Sequence, residues 1–254
     1  MVERHDLVTD ESIRAGLFTA RRGTAFFGHK LGELSHADLD EPTLLAGWTR
    51  RHVIAHVGYN AQALARLVEW ASTGVENLMY PSPQSRIEEI ERGATLPPIA
   101  LLNLFEHSAN HLSLEWRDLP DSRWAAEVRT AQGRLVPVSE TVWMRTREVW
   151  LHAVDLHNGA RFDDIPGEVL RRLLGDIWDT WEKRGSTAGL ALRVVGDDAD
   201  GLELGVLRPD TTLVEGGLAS VVRWAAGRGA EPGGTIGAAI GSTHTDVPSP
   251  PLWI

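Results

Sequence analysis

Four long amphipathic stretches, each with its own start and stop signals, fill the first 158 residues. From Asp10 to Leu34, the apolar residues Ile13, Leu17, Ala20, Phe27 and Leu31 fall on one stripe, which predicts a first helix. Its Gly16, Gly23 and Gly28 either weaken it or let a second helix come close. Thr49 is a good N-cap for a second helix, running to about Ser72 and closed by Gly74. Pro97 and Pro98 suit the first turn of a third helix that reaches about Trp116. Ser139 caps a fourth, ending at Asn158 and Gly159. Between these lie an irregular stretch from Val75 to Ser85, a short helix from Ser85 to Arg92 stopped by Gly93, and a hairpin turning at Gln132 and Gly133. Four such helices predict a four-helix bundle; the long connections leave its up-down order open.

The composition then shifts. Asp163 to Pro166 reads as a linker leading into a helix that extends to about Arg184. Leu190 to Val195, Leu202 to Leu207 and Thr211 to Val214 are short β-rich runs, with Asp197 to Gly201 as a turn between two of them. A last helix covers Gly217 to Ala226, and the tail from Gly229, including Gly233 to Gly237, reads as irregular. The expected architecture is therefore α + α/β: a helical bundle over residues 1–162 and a small α/β domain over 163–254.

The formal net charge of -10 argues against nucleic acid or an anionic membrane as partner. It also means that an anionic substrate needs a local island of positive charge. With no cysteine, the chain has neither a disulfide nor a thiolate of its own. Any sulfur chemistry must use a thiol brought from outside. No signal-peptide core and no run of 18 apolar residues is present, so a cytoplasmic protein is expected. Nucleophile-elbow, phosphate-loop and dinucleotide fingerprints are absent as well.

What remains is a set of metal-ligand type donors on two helices. Glu148 and His152 stand four apart in WMRTREVWLHAVDL and share a helix face, which Asp155 continues. His52 and His56 stand four apart in WTRRHVIAHVGYN. Two imidazoles and one carboxylate suit Zn²⁺, and can also hold Fe²⁺, whereas Mg²⁺ and Ca²⁺ want more oxygens. Spacing leaves His52 and His56 both open for one corner. The pair His107 and His111 has the same spacing and nothing to support it. Arg228, in RWAAGRG, fits the C-terminal end of the last helix, where a cation offsets the dipole and Gly229 terminates.

GWTRRHVIAHVGYNA, MYPSP, TAQGRLVP, WMRTREVWLHAVDL and RWAAGRG, in this order, resemble the mycothiol-dependent maleylpyruvate isomerases of actinobacteria, within the DinB/YfiT-like metalloenzymes. The resemblance runs from about residue 5 to residue 229. It implies a DinB-like four-helix bundle with a small C-terminal α/β domain. It implies a Zn²⁺ site at His56, Glu148 and His152, with His52 outside it, and a functional arginine at Arg228, with Arg223 its nearest rival. It also implies mycothiol, a low-molecular-weight thiol, as cofactor, and isomerisation of maleylpyruvate to fumarylpyruvate in the gentisate route of aromatic degradation.

A cis–trans change about a carbon–carbon bond needs transient loss of its double-bond character. Thiolate addition, rotation and elimination supply that, and metal coordination deprotonates a thiol that is mostly protonated at neutral pH. Arg228 would bind a substrate carboxylate or stabilise the charge that develops. Tyr59, Asn60, Trp143 and Arg145 are candidate pocket residues. Two rivals share these features: a zinc- and thiol-dependent transferase or conjugate hydrolase acting on another electrophile, and a non-catalytic protein stabilised by zinc.

Overall fold

The computed structural model describes residues 5–196, 201–229 and 236–253. It divides into two compact units, Met1–Ala160 and Arg161–Ile254. The turn expected at Asp197 to Asp200 and the glycines at 233 and 234 lie outside the described residues.

The first unit is mostly helical. Helix α1 spans Glu11–Gly32, and the Asp10 carboxylate caps it by accepting from the backbone of Ser12 and Ile13 at 2.8 and 3.1 Å. α2 (Arg50–Thr73), α3 (Pro83–Ala94) and α4 (Pro98–Asp118) follow. A two-stranded hairpin, β1 (Glu127–Arg129) against β2 (Leu135–Pro137), leads into α5 (Glu140–Asp155). Helices α1, α2, α4 and α5 make the expected bundle: α2 packs on α4 and α5, and α1 packs on α5. α2 is buried on nearly every side, from Val53 through Ala71, which marks it as the central helix. The apolar core gathers around its C-terminal half, where Leu64, Leu67 and Val68 meet Leu112, Trp116, Trp124 and Val128. Its first turns bury Val53, Ile54, Ala55 and Val57 as well, with His56 among them.

Two glycines in this unit serve close approach. A Cβ on Gly23 would lie 2.6 Å from both the Val149 side chain and the Trp150 ring nitrogen, so the absence of one brings α5 onto α1. Gly93, expected to stop α3, instead lies inside it. A Cβ there would lie 2.7 Å from Ala55 Cβ and from the Tyr59 ring, so α3 sits directly on α2. α3 runs one residue further and ends on Thr95.

In the second unit α6 (Gly167–Lys183) buries Leu170, Leu173, Leu174, Ile177, Trp178 and Trp181 along one stripe. Five strands form a mixed sheet in the order β4-β3-β5-β6-β7: β3 is Leu190–Val194, β4 Glu203–Leu204, β5 Thr212–Gly216, β6 Ile236–Ile240 and β7 Thr243–Thr245. Only β3 and β5 are parallel. α7 (Leu218–Ala225) connects β5 towards β6 and packs on α6, with the Trp181 and Trp224 rings 5.8 Å apart edge to face.

The expected irregular tail is corrected here, since β6 and β7 lie within it. Edge strands are held by backbone ladders that a Gly- and Thr-rich composition does not forbid, and β6 covers what would be the open edge of β5. Beyond β7 the chain is also fastened. Trp224 Nε1 donates to Pro248 O at 2.6 Å, and Arg184 donates to the carbonyls of Leu252 and Trp253 at 2.8 and 3.0 Å.

Candidate metal centre

Two helices of the bundle deliver the donors. α2 carries His56 in its second turn, and α5 carries Glu148 and His152 on one face. The ligand atoms of these three residues all lie within 4.8 Å of one another. His56 Nε2 is 2.7 Å and His152 Nε2 3.2 Å from the same oxygen, Oε2 of Glu148. The two imidazole rings stand edge to face with centroids 4.8 Å apart. Both histidines are buried.

His52, the rival by spacing, has other work. Its Nδ1 accepts from the Thr49 backbone N–H at 3.2 Å, completing a capping box at the start of α2. Its Nε2 faces Glu91 of α3 at 3.6 Å. His107 and His111 are exposed, and His111 pairs with Glu115 instead.

The electrostatics place one negative charge and unequal histidines in the cluster. Burial would push Glu148 up, but hydrogen bonds from His152 and His56 hold it well below the usual carboxylate range. Burial pushes His56 down to about 4, so its ring is neutral. Burial pushes His152 down too, but the carboxylates of Asp155 and Glu148 outweigh it and raise the group. Asp155 is fully buried, with Oδ2 2.8 Å from His152 Nδ1. The sequence placed it on the ligand face without a role; its spacing three residues past a ligating histidine was the available signal. A carboxylate on the far nitrogen fixes the ring and leaves Nε2 for a metal. Two buried imidazole nitrogens and one half-buried carboxylate oxygen thus converge as a donor set that fits a divalent metal.

This arrangement predicts the effect of Asp155→Asn. Metal affinity at pH 8 falls by roughly 10- to 100-fold, as outer partners of ligating histidines generally show. Protons compete for His152, so affinity in the unsubstituted protein declines as pH drops through the raised value of that group. Removing the carboxylate lowers that value and moves the acid decline to lower pH. Chelator competition across pH measures both; a variant with unchanged affinity and unchanged pH profile denies Asp155 this role.

Arg145 and Asn60, expected in a pocket wall, brace the two ligand helices instead. Arg145 is 1% exposed, and its Nη1 donates to Val57 O at 2.7 Å and to Asn60 Oδ1 at 3.0 Å. The bond reaches α2 one residue after His56 from a point three residues before Glu148. Burial lowers its pKa to about 10, which leaves it charged at neutral pH.

The profile of the mycothiol maleylpyruvate isomerase N-terminal domain matches residues 20–157, more than half of the chain. The chain belongs to the mycothiol maleylpyruvate isomerase family. The crystal structure of a mycothiol-dependent maleylpyruvate isomerase is 46% identical to it, with a TM-score of 0.86, over 95% of this chain and 97% of that one. A histidine-to-alanine mutant of such an isomerase is 45% identical with the same TM-score and coverage. No curated protein gives a significant match. The coverage of both structures extends past the helical unit, so the family likeness includes the mixed sheet.

In that second unit Arg228 is held by a helix-ending motif. Gly227 takes a left-handed φ of 77°, Gly227 N–H bonds Trp224 O at 2.8 Å, and Arg228 N–H bonds Arg223 O at 3.1 Å. The terminating glycine is therefore Gly227, where Gly229 was expected. Arg228 is buried, and its Nη1 donates to Ala226 O at 2.5 Å.

Proposed function

We propose that this protein is a mycothiol-dependent maleylpyruvate isomerase, converting maleylpyruvate to fumarylpyruvate. The observation that carries the assignment is the likeness, over 95% of the chain, to a solved enzyme of that description. The cluster of His56, Glu148 and His152 supports it independently, because its donor chemistry suits a catalytic metal.

His56, Glu148 and His152 would hold Zn²⁺, with two imidazoles and one carboxylate as ligands. Zinc with a coordinated thiol supplies a thiolate at neutral pH, which the cysteine-free chain cannot provide. Glu148 brings a charge that partly neutralises the cation, and Asp155 orients His152. Arg145 holds the separation of the ligand helices. As the double bond of the substrate is relieved, negative charge builds on an already dianionic molecule. We assign Arg228 to a substrate carboxylate or to that developing charge, where a fixed guanidinium stabilises the transition state more than the ground state.

The deciding experiment follows the absorbance of maleylpyruvate with purified protein, with and without mycothiol and Zn²⁺. Conversion that requires both is expected. Loss of the substrate without a trans product, or conversion indifferent to thiol, points to a different reaction on the same centre.

A further inference from the structure

The MYPSP stretch carries part of the family likeness, yet nothing in the metal centre explains it. It builds the start of α3. Ser82 caps the helix by accepting from Ser85 N–H at 3.0 Å, and Pro83 occupies the first turn. Arg86, Ile90 and Gly93 then follow at i, i+4 and i+7 on one face, and Gly93 seats that face on Ala55, the residue before His56. Arg86 is thereby brought to the cluster: its Nη2 lies 3.4 Å from His56 Nδ1. Among the described residues this half-buried guanidinium has no carboxylate partner.

A cation held beside a divalent metal site is repelled unless an anion lies between them. The histidine sharpens this. If His56 ligates through Nε2, the nitrogen that faces Glu148, its ring proton resides on Nδ1. A guanidinium has donors and no acceptor, so Nδ1 and Arg86 then present donor to donor. A solvated surface arginine would turn away; this one is committed to the face that α3 presents to α2.

We propose that Arg86 forms a carboxylate-binding subsite beside the metal centre. The assignment of that carboxylate to maleylpyruvate rests on the isomerase function proposed above. In a chain with net charge -10, it supplies a local cation on the bundle itself.

The test compares the zinc-loaded wild type with Arg86→Gln and Arg86→Lys in two measurements. The first is calorimetric binding of maleate, a small cis-dicarboxylate, without thiol. The second is steady-state turnover of maleylpyruvate with mycothiol. Arg86→Gln should weaken maleate binding and raise KM roughly tenfold or more, with zinc content unchanged and kcat affected far less. Arg86→Lys, which keeps the charge but loses the fork, should fall between. Equal maleate affinity in wild type and Arg86→Gln, no measurable binding to the wild type, or an unchanged KM overturns the subsite. Loss of zinc from Arg86→Gln also overturns it, since the residue would then serve the metal. If the wild type binds maleate through Arg86 but does not isomerise maleylpyruvate, the subsite stands and the isomerase assignment fails.

Discussion

His56→Ala should purify without stoichiometric metal and fail to isomerise maleylpyruvate. His56 supplies the only donor to the cluster from α2, and without it Glu148 and His152 form a two-point site on one helix face. Two protein ligands hold a divalent metal far less tightly than three, and no cysteine is available to substitute. The fold should survive. Glu148 and His152 still pair at 3.2 Å, and the apolar residues buried along α2, from Val53 to Ala71, are untouched. His52→Ala is the control that separates the two histidines of the motif. It removes the acceptor for the Thr49 N–H at the start of α2, at a cost of about 1 kcal/mol, yet keeps metal and turnover. Metal analysis, circular dichroism and the absorbance assay read the two variants side by side. Full metal content in His56→Ala, or a metal-free His52→Ala, would reverse the assignment.

Arg228→Ala should keep its metal and lose most of its turnover, by roughly 10²- to 10³-fold in kcat, the usual consequence of removing one charge-stabilising donor. The two effects separate because Arg228 is not among the metal-type donors, while the role proposed for it is to offset charge in the transition state. The bland alternative is that Arg228 merely closes α7, as its bond to Ala226 O allows. The helix-ending bonds, however, are made by the backbone of Gly227 and Arg228 and survive truncation of the side chain. A purely structural arginine would therefore show a lowered Tm and nearly normal kcat. A catalytic one shows the reverse, with Arg228→Lys recovering part of the loss. Wild-type turnover in Arg228→Ala removes the residue from the mechanism.

The sequence carried the bundle helices well: α1 through its apolar stripe, α2 through Thr49 and Gly74, and α4 through Pro97 and Pro98. It also carried the paired spacing of Glu148 and His152. It could not separate His52 from His56, since both lie on one face; what distinguishes them is a capping bond to Thr49, a matter of local geometry at the helix start. Arg145 and Asn60 looked like pocket residues because polar groups on a ligand face suggest one. Their partners turned out to be each other and a backbone carbonyl across the helix pair. Gly93 read as a helix stop because composition alone does not tell a terminating glycine from one that admits a neighbouring helix. β6 and β7 were missed for a related reason: their pairing partner, β5, lies about 20 residues earlier, and ladder bonds are made by backbone that any residue supplies. Arg86 had no spacing signal at all, because its place beside His56 depends on how α3 docks.

The centre also joins points far apart along the chain. His56 and Glu148 are 92 residues apart, so an ion held by both closes a long loop much as a disulfide would, in a protein that has none. Free zinc at about 100 times its dissociation constant would add about 2.7 kcal/mol to folding stability by mass action alone. Metal supply would then govern how long this protein lasts as well as how fast it works. A chelator that lowers its Tm would not, by that result, have shown the metal to be merely structural.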